Sequence, residues 1–152
     1  PRELQRKIFI EQIDVAKQMN KPIVVHNRDA HGDMMDILKK EAKGLTGVMH
    51  CYSGSWEMAK ELIKMNFFLS VGGPVTFKNS AKLPEIVAKI PLEYLLLETD
   101  CPYLTPQPYR GKRNEPAYIK IIAEKIAQIR NITVEELAVT TTDNVKNLFG
   151  IK

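Results

Sequence analysis

Three side chains that can bind a divalent cation stand at the ends of three separate apolar runs. His26 ends the run PIVVH, His50 ends TGVMH, and Asp100 ends YLLLETD. Two imidazoles and a carboxylate suit cations such as Zn²⁺, Mn²⁺ or Mg²⁺, which lower the pKa of bound water and polarise phosphoryl or carbonyl oxygens. A single histidine at a strand end is usually satisfied by hydrogen bonds, so neither histidine alone indicates a ligand. Their shared position at the ends of the runs is what predicts a metal site.

These runs, together with a fourth run FFLSVG at residues 67–72, have the composition of buried parallel strands. None of them shows the polar alternation of a half-exposed strand, and amphipathic stretches separate them. Side chains at the carboxyl ends of parallel strands share one edge of the sheet, so His26, His50 and Asp100 are expected to converge there. The sequence therefore predicts an α/β fold with four parallel strands and covering helices.

The segments outside the runs carry residues typical of helix starts and stops. Ser55 is expected to cap a helix, Thr133 and Glu136 form a capping-box pattern, and Gly150 is typical of a helix stop. A stripe at helical spacing precedes the first run and contains Leu4, Ile8, Phe9, Ile13 and Ala16. No linker or change of composition divides the chain, which predicts a single unit over residues 1–152.

Two further features of the strand ends bear on the site. Glu98 precedes Asp100 by two residues, so strand alternation places both side chains on one side of the sheet, with Glu98 one layer deeper. Glu98 could orient a metal ligand, or it could be a structural group paired with a neighbouring cation. Gly72 and Gly73 end the third run and either offer backbone N–H groups to a substrate or simply form a tight turn.

A basic loop follows the fourth run and is expected to overhang the same edge of the sheet. It contains Arg110, Lys112 and Arg113. An arginine can fork onto a phosphate and a lysine adds a point charge, although a cluster of this kind is often only a solvated turn. Arg28, two residues after His26, has a similar candidate role, and Asp29 is a candidate cap for the following helix. Phosphate contacts of this kind carry no sequence preference.

Composition sets broad limits on the class of protein. The net charge is +4 and the isoelectric point is near 9.0, which mildly favours anionic partners. The two cysteines, Cys51 and Cys101, do not form a disulfide framework in a chain of this length, and neither is expected to be a nucleophile or ligand. No apolar run approaches the roughly 20 residues of a membrane span, and no signal-peptide core is visible, so we expect a soluble, cytoplasmic protein.

Several segments resemble one known family. The segments VVHNRDA, GVMHCYSGS, FFLSVGGPVTF, LLLETDCPYLTPQPYRGKRNEP and TTDNVKNLFG are similar to those of the TatD family of metal-dependent DNases, within the amidohydrolase-like TIM-barrel hydrolases. The resemblance covers essentially the whole chain. It implies a (β/α)₈ metallohydrolase that uses divalent Mg, Mn or Zn to cleave DNA. It also implies that His26 and His50 are the family's two mid-barrel histidine ligands and that Asp100 is its acidic ligand and catalytic base.

The chain also departs from the family pattern. The family's His-x-His motif on the first strand and its bridging glutamate have no counterpart in this sequence. With residue 1 a proline rather than a methionine, we expect the second, C-terminal half of a (β/α)₈ TIM barrel, taken from a longer protein. The partner of its open edges is expected to be the missing N-terminal half of the barrel or a second copy of the chain.

Three functions remain open at this level. The first is a nuclease in which metal-activated water attacks a phosphodiester of DNA and Asp100 accepts the proton. The second keeps the metal site but hydrolyses an ester or amide, as in aminoacyl-tRNA deacylation. The third is an inactive anion-binding fragment, because metal binding without the missing ligands should be weaker than in an intact barrel.

Overall fold

Four parallel strands form the single sheet of the protein, which a computed structural model describes over residues Pro1–Lys152. They lie in chain order and are β1 (Ile23–His26), β2 (Gly47–His50), β3 (Phe67–Val71) and β4 (Leu95–Leu97). The register places His26 beside His50, and Val71 beside Leu97. The predicted α/β fold with four parallel strands is therefore confirmed.

Six helices accompany the sheet. They are α1 (Arg2–Gln18) before β1, α2 (His31–Glu41), α3 (Trp56–Lys64) and α4 (Lys82–Lys89) between successive strands, and α5 (Ile119–Arg130) and α6 (Val134–Phe149) after β4. Short 3₁₀ turns occupy Gly73–Thr76, Leu92–Tyr94 and Pro116–Tyr118. None of the helices combines the length and the apolar composition that crossing a membrane requires. The cytoplasmic location stays a prediction.

The sequential strand order decides which face of the sheet the helices cover. Crossovers between parallel strands are right-handed in about 98% of cases. Each strand of this sheet lies next to the one before it, always on the same side, so right-handed crossovers place every connecting helix on the same face. The hydrophobic core accordingly joins the helices to one set of alternating strand residues, which includes Val25, Met49 and Leu69. Val48 and Leu96 are also buried but lie outside this core cluster, on the opposite face.

The predicted helix ends agree with the structure. The Ser55 hydroxyl accepts a hydrogen bond from the Met58 N–H at 3.2 Å, and the Thr133 hydroxyl accepts one from the Glu136 N–H at 3.0 Å. Gly150 ends α6 with a left-handed φ of 64°, which glycine adopts without strain. Caps of this kind satisfy backbone donors and acceptors that the helices leave unpaired.

Two patterns were predicted incorrectly at the amino-terminal side of the sheet. Leu4 and Ile8, which the predicted stripe of α1 includes, are 52% and 44% exposed, whereas Ile13 is fully buried. Strand β1 was expected to be buried on both faces, yet Val24 is 60% exposed. The reason is topological, because β1 is an edge strand and the face that carries Val24 has no helix over it.

The glycines after β3 allow a close approach between two chain segments. A Cβ atom on Gly73 would lie 1.9 Å from the carbonyl oxygen of Leu104, in the loop that follows β4. No real Cβ makes such a contact with a backbone atom, so the loop can pass only because residue 73 has no side chain. Neither a substrate-binding role nor a tight turn explains Gly73 as directly as this contact.

We expect Gly73→Ala to destabilise the protein by about 1–3 kcal/mol, the usual cost of overpacking a filled site. The new methyl group must displace the backbone at Leu104, and with it the loop that carries Asp100. Gly32→Ala is the matched control, since nothing lies within 4 Å of a Cβ at that position of α2. Urea unfolding of both variants measures the difference, and an unchanged midpoint for Gly73→Ala would refute the close-contact argument.

Candidate metal centre

His50, the last residue of β2, lies between two carboxylates. Its Nδ1 is 2.9 Å from Oε2 of Glu98, and its Nε2 is 3.1 Å from Oδ1 of Asp100. Potential ligand atoms of the three residues all lie within 4.8 Å of one another. The structure thus brings together one histidine and both acidic residues that the sequence placed at the strand ends, in a partly buried setting.

Glu98 reaches His50 across the intervening strand β3. Its backbone N–H donates to the carbonyl of Val71 at 3.1 Å, so the hydrogen-bond ladder of β4 continues one residue beyond the strand. Alternation then keeps the Glu98 side chain on the face that carries His50. Gly72 leaves room for it, since a Cβ at that position would lie 3.3 Å from Cγ of Glu98. The Cys51 N–H also donates to Glu98 Oε2, at 3.0 Å.

Asp100 reaches the same imidazole by a different route from the one predicted. Strand β4 ends at Leu97, so Asp100 is not on a strand, and strand alternation does not fix its direction. It occupies a turn with a left-handed φ of 55°, and its carbonyl accepts a hydrogen bond from the Tyr103 N–H at 2.9 Å. The predicted side of the sheet is correct, but the turn is what aims Asp100 at His50.

His26 lies next to this group but does not complete it. It pairs in register with His50, and the two ring centroids are 5.7 Å apart. His26 is exposed on the open edge strand and is absent from the group of three residues with mutually close ligand atoms. Its role as a metal ligand stays a prediction.

The two carboxylates around His50 offer more acceptors than a neutral imidazole has donors, and either a second ring proton or a cation offsets this excess. A neutral imidazole has one N–H, yet both nitrogens of His50 face ionisable carboxylates, which only accept hydrogen bonds when charged. The second oxygen of Glu98, Oε1, is buried with no hydrogen-bond partner. Buried polar atoms normally have partners, and an orphaned one next to a His–carboxylate pair suits a cation site. The residues present therefore fit a divalent metal ion.

Cys51 lies beside this centre without being suited to act in it. Burial, followed by the negative charges of Glu98 and Asp100, raises the pKa of its thiol to about 12. The thiol is therefore protonated at neutral pH, and a protonated thiol is neither a good nucleophile nor a good metal ligand. This agrees with the sequence reading, which gave Cys51 no role.

The basic loop is connected to the turn that carries Asp100. The Thr105 hydroxyl donates to the carbonyl of Lys112 at 2.5 Å, which ties the two ends of the loop together. The Arg110 guanidinium lies 4.1 Å from the centre of the Phe77 ring, and Lys112 and Arg113 are exposed. None of the three cations belongs to an ion pair, so all remain available to an anion.

Arg28 and Asp29 lie on the surface next to the open edge of the sheet. Their side chains are 85% and 93% exposed, and their charged atoms are 3.8 Å apart. The predicted cap is wrong, because α2 begins after Ala30 and no side chain caps it. Asp29 instead takes a left-handed φ of 56°, which is non-helical. The role of Arg28 in substrate binding stays a prediction.

Asn114 is a site residue that the sequence reading missed. It is only 2% exposed, and its side-chain amide donates to the carbonyls of Thr99 and Tyr103, on either side of Asp100. In the sequence it follows three cations in a polar loop, where an asparagine is typical of an exposed turn. Only the tertiary contacts show that it is buried.

Comparison with known proteins now places the chain in a family. The sequence profile of a family described as TatD related DNase matches residues 1–150. An uncharacterized metal-dependent hydrolase of Bacillus subtilis, YabD, is 55% identical over 99% of this chain and 60% of its own length. A 3'-5' ssDNA/RNA exonuclease, TatD of Escherichia fergusonii, is 38% identical over 98% of this chain and 60% of its own length.

A solved structure agrees with these matches. The crystal structure of YJJV, a TatD homolog from Escherichia coli, matches 99% of this chain with a TM-score of 0.92 and 28% identity, over 58% of that chain. This chain thus spans about 60% of the length of the curated relatives it matches. Their description as metal-dependent agrees with the group of His50, Glu98 and Asp100, which could hold a metal ion. The chain belongs to the TatD family of metal-dependent hydrolases.

Proposed function

We propose that this chain carries part of the active site of a divalent-metal-dependent hydrolase that cleaves DNA phosphodiester bonds. The observation that carries the proposal is His50 held between Glu98 and Asp100, with Asp100 on a turn that is bonded to a basic loop. A relative named as a 3'-5' ssDNA/RNA exonuclease supports a nucleic acid as the substrate. The cationic loop favours a phosphodiester over a neutral ester or amide.

The ligands proposed for the cation are Nε2 of His50 and the carboxylate of Asp100, with His26 on the same face as a further ligand. When bound, a divalent cation supplies Lewis acidity that polarises a phosphoryl oxygen and lowers the pKa of water. Glu98 accepts from Nδ1 of His50 and so leaves Nε2 free for the metal, the usual arrangement for a histidine ligand. Histidine with carboxylate suits Zn or Mn, and Mg remains an alternative.

Asp100 is the proposed base. A carboxylate has two oxygens, and Oδ1 is the one that contacts His50 in the structure. Oδ1 would face the cation together with Nε2 of His50, and the other oxygen can accept the proton of the attacking water.

The proposed substrate contacts are Arg110, Lys112 and Arg113 of the basic loop. Arg28, two residues after His26 at the end of β1, is proposed as a further contact. The Arg110 guanidinium lies over the Phe77 ring and donates one hydrogen bond to Oδ1 of Asn79 at 3.4 Å, and its remaining N–H groups can fork onto a phosphate. These contacts would hold flanking phosphates of any sequence and position the scissile bond over the metal centre.

We further propose that the sheet is part of a (β/α)₈ barrel, completed by an N-terminal half that covers the open edge of β1. A groove of about 1270 Å³ runs along this edge and includes Val24, His26 and residues of α1 and α2. An unpaired strand edge with an exposed apolar residue favours pairing with another strand. A second copy of the chain is the alternative occupant of the groove.

Light scattering after gel filtration distinguishes these occupants. If the proposed N-terminal half normally covers the edge, the chain alone should have the monomer mass of 17.3 kDa. A dimer of twice that mass would instead favour a second copy, provided that Val24→Lys returns the chain to a monomer and Val139→Lys does not. Val139 is the matched control because it is similarly exposed, at 62%, but lies on α6.

Calorimetric titration of Mn²⁺ and Zn²⁺ into the chain tests the metal centre. Residues that only support a metal ligand typically contribute about tenfold to hundredfold to metal affinity. We expect His50→Ala and Asp100→Asn, which remove proposed ligands, to weaken metal binding by at least that much. His31→Ala and Asp36→Asn, on α2 and outside the group of three residues with close ligand atoms, should bind like the wild-type chain. If all five proteins are folded by circular dichroism and bind alike, His50 and Asp100 do not form a metal site.

The salt dependence of binding to a fluorescent single-stranded oligonucleotide tests the basic loop. Removing one phosphate contact should reduce the slope of log affinity against log salt by about 0.7. We expect this change for Arg110→Ala and Arg113→Ala and no change for Lys17→Ala, an exposed cation of α1. Equal slopes for all variants in fluorescence anisotropy would show that the loop does not contact phosphate.

A further inference from the structure

We propose that Asn114 is a positioning residue that holds the turn Thr99–Tyr103 so that Asp100 faces His50. The inference rests on the proposed metal centre for its functional meaning, but its structural part can be measured without metal. It assigns a specific task to a residue that is neither a proposed metal ligand nor a proposed phosphate contact.

Four hydrogen bonds use the side chain and the backbone N–H of Asn114, and three of them go to this turn. Its side-chain amide donates to the carbonyls of Thr99 at 2.6 Å and Tyr103 at 2.5 Å. Its backbone N–H donates to the carbonyl of Pro102 at 3.1 Å, and its side-chain oxygen accepts from the Glu115 N–H at 2.9 Å. The two hydrogen bonds from the side-chain amide thus hold the turn on both sides of Asp100.

Few other contacts fix the conformation of this turn, and one of them is the 3.1 Å contact between Oδ1 of Asp100 and Nε2 of His50. The backbone ladder between β3 and β4 ends with the hydrogen bond from the Glu98 N–H, two residues before Asp100. Inside the turn, the Tyr103 N–H bonds to the Asp100 carbonyl at 2.9 Å, and the Cys101 N–H lies 3.4 Å from the Thr99 hydroxyl. Asp100 itself has a left-handed φ of 55°, which is uncommon for a residue with a side chain, although aspartate tolerates it better than most.

The same residue links the turn to the basic loop. Asn114 directly follows Arg113, and the Thr105 hydroxyl holds the carbonyl of Lys112 in the same segment. A change in the position of Asp100 relative to the sheet would therefore also move the cations proposed to hold the phosphate. Asn114 would keep both groups in one fixed relation to His50.

Asn144 provides a matched control within the chain. It is 7% exposed, and its side-chain amide also donates to two backbone carbonyls, those of Leu92 at 2.8 Å and Leu95 at 2.9 Å. These acceptors lie at the amino end of β4, away from Asp100. Truncating either asparagine leaves two carbonyls without their donor, so both variants should lose a similar amount of stability.

Hydrogen exchange of the metal-free chain is the first measurement. The two variants are compared under conditions in which their free energies of unfolding are equal, so that a difference in exchange reports local opening of the turn. We expect the amides of Cys101 and Tyr103 to exchange about tenfold faster in Asn114→Ala than in Asn144→Ala. Asn114→Ser, which keeps one donor, should fall between the wild type and Asn114→Ala and serves if the alanine variant does not fold. Equal exchange at these amides in the Asn114 and Asn144 variants would overturn the proposal.

Mn²⁺ titration of the same proteins is the second measurement. Asn114→Ala should weaken Mn²⁺ binding by roughly tenfold to hundredfold, as supporting residues of metal sites do, while Asn144→Ala leaves it near the wild-type value. Equal losses in both variants would show a merely structural role and overturn the proposal. If the wild-type chain binds no Mn²⁺ but the exchange result holds, the positioning role stands and the proposed metal function fails.

Discussion

The contact between one imidazole and two carboxylates determines what the rest of this structure must do. His50 is fixed on a central strand, and its two ring nitrogens point in opposite directions, so the carboxylates must arrive from separate places. Glu98 comes from the strand ladder and Asp100 from a turn beyond it. An imidazole between two negative charges attracts a cation, and a group with this surplus of acceptors is suited to bind one.

The order of the strands explains why such a polar group can exist next to a large apolar core. Because the crossovers all step in one direction, the helices and the hydrophobic core occupy one face of the sheet. The opposite face is free to carry His26, His50 and Glu98 at the ends of β1, β2 and β4. A doubly wound sheet, with helices on both faces, would bury this face under a second apolar layer.

The sequence predicted those parts of the site that depend on local patterns. Apolar runs ending in His50 and Asp100 located the edge of the sheet, and alternation placed Glu98 on the correct face, because both signals are periodic along the chain. The burial of Asn114 and the contact of Gly73 with Leu104 could not be predicted, since each depends on a partner distant in sequence. The exposure of Val24 also depends on tertiary context, because edge strands and central strands of a parallel sheet can have the same apolar sequence pattern.

The site joins a rigid part to an adjustable one. His50 and Glu98 are held by paired strands, whose backbone bonds are shared with neighbours on the sheet. Asp100 depends on side-chain bonds from Asn114, and the basic loop is joined to it through the same segment. An anion bound by the loop would therefore act on the carboxylate proposed as the base, and much less on the histidine. Substrate binding and the orientation of Asp100 would be coupled through the loop, while the strand-held part of the metal centre stays fixed.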